Sequence, residues 1–263
     1  MGKIFCLMGK SASGKDFVYK NLIAREDLQL QHVVPYTTRP IRSGEVEGLT
    51  YFFCSDEEAE AMERAGKVIE MRAYDTVHGV WKYFTADDGQ IDLSRQDYLM
   101  IGTPESCVKL REYFGADAVC PVYIWVDDGE RLARALKRES KQGQPKYAEM
   151  CRRFLADERD FSEENLRKAG VNLFPEENPD KAGTEVDLER NLCIADASRE
   201  DLQSACINAF STDLQSADRS ICLKNKEEVI GCNSFENREK EQILEDVAAY
   251  IAQIRADQRI LTE

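Results

Sequence analysis

The sequence predicts an α/β fold in which a mostly parallel sheet is flanked by helices, and three observations carry that expectation. Short apolar runs alternate with helical patterns along the first 170 residues. One of those runs, Lys3-Ile-Phe-Cys-Leu-Met8, ends in a glycine-rich turn that opens a helix. The composition, 43% hydrophobic and 32% charged over 263 residues, supplies a core and argues against a disordered or fibrous chain.

The opening run reads as a buried strand, and a helical stretch follows Gly14. Val33-Val34-Pro35-Tyr36 and Thr50-Tyr-Phe-Phe-Cys54 read as short strands on either side of a turn-rich, charged stretch. Ser55, followed three residues later by Glu58, sets a capping-box start for the next helix. Val68 to Thr85 reads as strands joined at the His78-Gly79 break. Tyr98-Leu-Met-Ile101 and Val119 to Val126 are two further apolar runs, with the helical pattern Glu105 to Phe114 between them. Asp128 to Lys168 predicts two arginine-dense helices hinged near Gly143-Gln-Pro145. Residues 170–225 turn to Asn, Asp, Ser and Glu and read as an acidic insertion of unassigned role, with one weak helical pattern from Asp187 to Phe210. Helical spacing returns at Ile243, Val247, Tyr250, Ile251 and Ile254, a helix with one face to dock.

Charge narrows the partners. Lys and Arg total 35 against 49 Asp and Glu, a net charge of −14, and residues 171–263 carry 10 of the basic and 20 of the acidic side chains. Such a surface repels a phosphodiester backbone, so no nucleic-acid partner is expected, while a local positive pocket in the first part suits a small phosphate ligand. No apolar run approaches the roughly 18 residues of a membrane span, and the N-terminal stretch before Lys10 is too short for a secretory signal. A cytoplasmic protein is expected. Nine scattered cysteines, no Cys-x-x-Cys pair and two histidines argue for reduced thiols over a zinc site.

Chemistry concentrates at two places. Gly9-Lys10-Ser11-Ala12-Ser13-Gly14-Lys15 fits a phosphate-binding loop and lies between a strand and a helix, as that mechanism requires. Glycines let backbone N–H groups wrap phosphate oxygens, the helix N-terminus adds its positive dipole end, and Lys15 adds a point charge. The next position, where a hydroxyl ordinarily holds magnesium, is Asp16. Two readings stand: a carboxylate ligand for magnesium, or a helix-end carboxylate remote from metal. The second place is Thr37-Thr38-Arg39-Pro40-Ile41-Arg42 with Gly44, Glu45, Gly48, Tyr51 and Phe52, where two arginines three apart allow two readings: a fork for a phosphate monoester, or a surface loop with salt-bridged arginines.

This segment resembles the monophosphate-binding pattern of guanylate kinases, T-T-R-x-P-R-x-G-E-x-x-G-x-x-Y-x-F, with only the proline shifted. The resemblance extends over residues 1 to about 168 and resumes near Val229. It implies a P-loop kinase core on residues 1–169 and 226–263, a small β subdomain for the nucleoside monophosphate at about 35–85, and a helical lid at about 129–155. It further implies that Arg39, Arg42 and Tyr51 hold the phosphate of GMP and that Glu70 reads guanine, whose N1–H and 2-amino group are adjacent donors. Tyr83-Phe84-Thr85 corresponds to the family's Tyr-Gly-Thr element at stretched spacing, which adds Tyr83 and Thr85 to the GMP set. Arg134, Arg138, Arg152 and Arg153 correspond to lid arginines that close over ATP, and magnesium is the implied cofactor.

Two departures stand out: Pro35 replaces a base-contacting serine, and Tyr98–Gly102 carries no acidic residue, although Asp97 precedes it and Glu105 follows. The expected activity is phosphoryl transfer from ATP to GMP. A P-loop kinase for another phosphorylated small molecule and a non-catalytic guanylate kinase-like binding module are the alternatives.

Overall fold

The computed structural model describes residues 2–42, 44–76, 79–172, 234–236 and 240–262. The core of the acidic insertion, residues 173–225, and its weak helical pattern lie outside the described residues. Strand β1 (Ile4–Met8) is the middle of a five-stranded sheet and is buried along its whole length. It pairs in parallel with β7 (Tyr98–Ile101) on one side and β8 (Val119–Trp125) on the other. The edge strands β2 (Gln31–His32) and β9 (Ser234–Glu236) are also parallel to their neighbours. A strand buried on both faces needs a continuous apolar run, and that is why β1 shows no alternation in its sequence.

Helices cover both faces. On one, Val18 and Leu22 of α1 (Lys15–Ala24) pack with Ile243, Val247 and Ile251 of the last described helix, α7 (Lys240–Thr262), over Phe5, Leu7 and Val122. Burying each of those aliphatic side chains is worth about 1.5–3 kcal/mol, which makes α7 an integral wall of the core. On the other face, Cys107 and Leu110 of α3 (Pro104–Phe114) and Leu166 of α6 (Glu163–Lys168) pack on Ile4, Cys6 and Met8.

A separate four-stranded sheet, in the order β4-β3-β6-β5, forms the small subdomain. β4 (Phe52–Phe53) lies parallel to β3 (Tyr36–Thr37), and β3 lies antiparallel to β6 (Gly79–Ala86), which forms a hairpin with β5 (Val68–Thr76). Helix α2 (Asp56–Arg64) opens with the Ser55–Glu58 capping box and buries Ala59 against Phe84 and Ala86.

Three sequence expectations are corrected here. Val33, Val34 and Pro35 lie between β2 and β3 rather than within one strand, because Pro35 has no N–H for a sheet ladder. The fourth strand is confined to Phe52–Phe53. The arginine-dense stretch forms three helices, α4 (Asp128–Glu139), α5 (Tyr147–Asp160) and α6, since Ser162 caps a new helix by accepting from the Asn165 N–H. Strand β9 was not anticipated; its three residues add too little apolar sequence to announce a strand.

Candidate functional site

The loop after β1 has the geometry its sequence suggests. Gly14 takes φ 88° at the N-cap of α1, and Ala12 takes φ 63°, so the loop turns sharply into the helix. A Cβ on Gly9 would lie 2.5 Å from Ser13 Oγ and 3.1 Å from the Ile124 carbonyl oxygen, so this position has room only for glycine. Lys15 is largely covered, with its ammonium 4.0 Å from the exposed Asp16 carboxylate.

The rest of the loop is tied to α4 and α5 by contacts that the sequence did not suggest. The Ser11 N–H donates to Asp157 Oδ2 at 2.7 Å, and the Lys10 ammonium lies 2.8 Å from both oxygens of Glu158. Lys10, expected at the nucleotide, therefore faces a carboxylate. Arg131 joins these groups: it is 1% exposed, donates to Asp128, Glu158 and the Ser11 carbonyl, and stacks 4.5 Å from the Phe154 ring. Nothing in a helix with four basic residues distinguishes the buried arginine from the others except its place one turn after Asp127 and Asp128.

The second sheet gathers the other expected residues. Arg39 is 4% exposed, grips Glu45 through both terminal nitrogens at 2.7 and 2.5 Å, and lies over the Tyr51 ring at 4.9 Å. Its side-chain contact with Arg39 holds the Glu45 carboxyl below its usual range. The Arg39 Nε is buried with no hydrogen-bond partner among the described residues, a donor that calls for an acceptor from a ligand. Tyr83 packs edge-on against Tyr51, 5.9 Å between centroids, and 6.0 Å from Arg39. Burial raises the Tyr51 hydroxyl, which stays a neutral donor at physiological pH.

Glu70 is 3% exposed and accepts from the Thr85 hydroxyl at 2.8 Å and from Arg72 Nε at 3.2 Å. Strand register puts Glu70 opposite Thr85 and Arg72 opposite Tyr83, so all four share one sheet face. Arg72 was not anticipated, although its place two residues after Glu70 on a strand is the signal that would have found it. A cavity of about 330 Å³ opens beside Arg72, with residues 71–74 of β5 on one side and Thr103, Glu105, Asp160 and Asn165 on the other. Burial, followed by the charge of Asp157, raises the Asp160 carboxyl.

The four candidate lid arginines are engaged locally or exposed. Arg134 pairs with Glu130 at 2.6 Å, Arg152 and Arg153 with Glu149 at 2.8 and 3.7 Å, and Arg138 is exposed. The hydrogen bond from Arg152, followed by the charges of Arg153 and Arg42, lowers the Glu149 carboxyl. Arg42 of the small subdomain and the arginines of α5 thus act on one anionic group. Among the described residues no cluster of three or more His, Cys, Asp or Glu is placed to hold a metal ion, and no helix is long and apolar enough to cross a membrane.

A family model described as guanylate kinase matches residues 1–80. A guanylate kinase of Rhodopirellula baltica is 38% identical over 151 residues, which cover 54% of this chain and 68% of that protein. The chain belongs to the guanylate kinase family. Guanylate kinases of Enterococcus faecalis and Bacillus cereus are 41% and 44% identical over 73 and 69 residues, 28% and 26% of this chain. These matches span 36% and 34% of those two relatives, about a third of their length. A solved guanylate kinase from Anaplasma phagocytophilum is 22% identical with a TM-score of 0.43, covering 64% of this chain and 81% of that one.

Proposed function

We propose that the chain transfers the γ-phosphoryl group of ATP to GMP, giving ADP and GDP. The observation that carries this reading is the sheet face shared by the buried Glu70, Thr85 and Tyr83, with the buried Arg39 and its unpaired Nε 6.0 Å from the Tyr83 ring. Glu70 offers two acceptor oxygens to the adjacent N1–H and 2-amino donors of guanine. Arg39, Arg42 and Tyr51 offer donors to the acceptor phosphate, and residues 9–16 offer the amide-lined loop and Lys15 to the phosphates of ATP. Transfer proceeds by positioning and charge neutralisation, without a covalent intermediate. Magnesium needs only one or two protein carboxylates when phosphates supply other ligands. The exposed Asp16 at the loop fits that requirement and would hold the metal, which would supply charge neutralisation to the nucleotide phosphates.

A coupled assay of ADP release with GMP, dGMP, AMP, UMP and CMP tests the reading. Turnover with the guanine nucleotides well above the others is the expected result; turnover with none, or equal use of all, defeats it, and use of another phosphorylated acceptor favours the alternative small-molecule kinase. Within the same assay, Glu70→Gln should lower kcat/KM for GMP roughly ten- to a hundredfold, the effect of one mismatched buried hydrogen bond. The KM for ATP should not change. Equal losses for GMP and AMP would show that Glu70 does not read the base.

The binding-module reading draws on the local pairing of Arg134, Arg152 and Arg153. Arg138→Ala separates the two. A lid arginine acts in the transition state, so kcat should fall by about 10²-fold, less than the 10³–10⁵ of a dedicated arginine finger, while GMP affinity is retained. Unchanged kcat in this variant removes the lid mechanism.

A further inference from the structure

Resting on the acceptor reading above, we propose that Arg72 is a specificity-determining residue whose terminal N–H groups recognise the carbonyl oxygen at position 6 of the purine, beside the edge held by Glu70. Strand alternation places Glu70, Arg72 and Tyr74 on one face of β5, and Arg72 and Tyr74 line the cavity of about 330 Å³. That volume lies at the lower end of the roughly 300–1,000 Å³ of small-molecule sites.

The hydrogen bonds already made define what the site still lacks. The two Glu70 oxygens have about four acceptor positions between them. One is filled by the Thr85 hydroxyl at 2.8 Å and one by Arg72 Nε at 3.2 Å. Two acceptor positions remain, one on each oxygen, which suits two adjacent donors. The hydrogen bond to Glu70 uses Nε and the Tyr74 hydroxyl takes a further contact from Arg72, which leaves other terminal N–H groups of a guanidinium that is a donor with no acceptor capacity.

Read across from Arg72 to Glu70, the site therefore offers one donor followed by two acceptors. Guanine presents the complement along its edge: the 6-carbonyl accepts, and N1–H and the 2-amino group donate. Adenine presents a donor at position 6 and an acceptor at N1, which opposes donor to donor and acceptor to acceptor. Cytosine fails at all three positions, and uracil fails at its 2-carbonyl, which would face a carboxylate oxygen. Glu70 alone distinguishes guanine at N1 and at the 2-amino group. Arg72 adds discrimination at position 6 and holds the Glu70 carboxylate in the plane of the base.

A purely structural Arg72 would only neutralise the buried Glu70, and a matched pair of substrates tells the two roles apart. 6-Thioguanosine monophosphate keeps both donors of GMP and replaces the carbonyl by a weak sulfur acceptor. Wild type should favour GMP over this analogue by roughly tenfold in kcat/KM, about the effect of one hydrogen bond. Arg72→Met should bring that ratio close to one with the KM for ATP unchanged. Arg72→Lys keeps the charge beside Glu70 but not the planar fork, so it should fold as wild type does and still lose most of the discrimination. If both substrates lose equally in Arg72→Lys and the ratio stays at its wild-type value, Arg72 is structural and the inference is overturned while the acceptor reading stands. If wild type phosphorylates no guanine nucleotide, the acceptor reading falls and the inference falls with it.

Discussion

Lys15→Ala is expected to reduce ATP-dependent phosphorylation of GMP by at least about 10²–10³-fold, the effect of deleting one preorganised charge or donor at a developing anion. The side chain stands at the first position of α1, directly after the left-handed Gly14, where the loop turns into the helix. Among the described residues its one ionic neighbour is Asp16 at 4.0 Å, too long for a tight pair and with Asp16 largely in solvent. Little stability depends on that contact, since exposed pairs contribute about 0–1 kcal/mol. The variant should therefore keep its thermal midpoint within a few degrees while losing turnover. Measurement of kcat together with a melting curve decides the matter. Near wild-type turnover in a folded Lys15→Ala protein would remove the phosphate-loop assignment, and a collapsed midpoint would show that the lysine supports the fold instead.

The parts of this molecule that were legible in the sequence are those specified by local rules. The strand-to-loop start at Ile4–Gly14 follows from an uninterrupted apolar run and two glycines. The Ser55–Glu58 capping box and the β5–β6 hairpin likewise follow from near-neighbour chemistry. In the candidate site, Arg39, Tyr51, Glu70, Tyr83 and Thr85 were nominated, and the structure gathers them on one small sheet. The side chains that were missed owe their roles to partners far along the chain. Asp157 reaches the Ser11 amide across 146 residues, and Glu158 reaches Lys10 across 148. No spacing rule on α5 announces such contacts. The strand boundary near Val33 failed for a different reason: a β-branched pair raises strand propensity, and the proline that follows cancels it.

Arg131 is where long-range pairing carries the largest stability consequence, and Arg131→Met is expected to destabilise the fold by about 3 kcal/mol. The guanidinium is fully enclosed, and methionine keeps most of its apolar contact with Phe154 while deleting every donor. Asp128 at 2.6 Å, Glu158 at 2.8 Å and Asp157 at 3.5 Å would then crowd together with only Lys10 to offset them. Asp128 and Glu158 are 48% and 38% exposed and regain some water, which keeps the loss at the lower end of the 3–5 kcal/mol typical of a broken buried pair. For a protein of this size each kcal/mol lowers the midpoint by about 2–4 °C, so a fall of roughly 6–12 °C is expected. The loop should suffer as well, because the Ser11 carbonyl loses its donor at 3.2 Å and the Ser11 amide remains held only by Asp157. Apparent affinity for ATP should weaken in Arg131→Met even at temperatures where the variant is folded. Arg134→Ala is the control: it removes an arginine one turn along the same helix whose pairing with Glu130 is partly in solvent, a type of pair worth about 0–1 kcal/mol. Equal midpoints for Arg131→Met and Arg134→Ala would show that the buried network contributes no more than a surface pair, and that the loop is held by its own backbone alone.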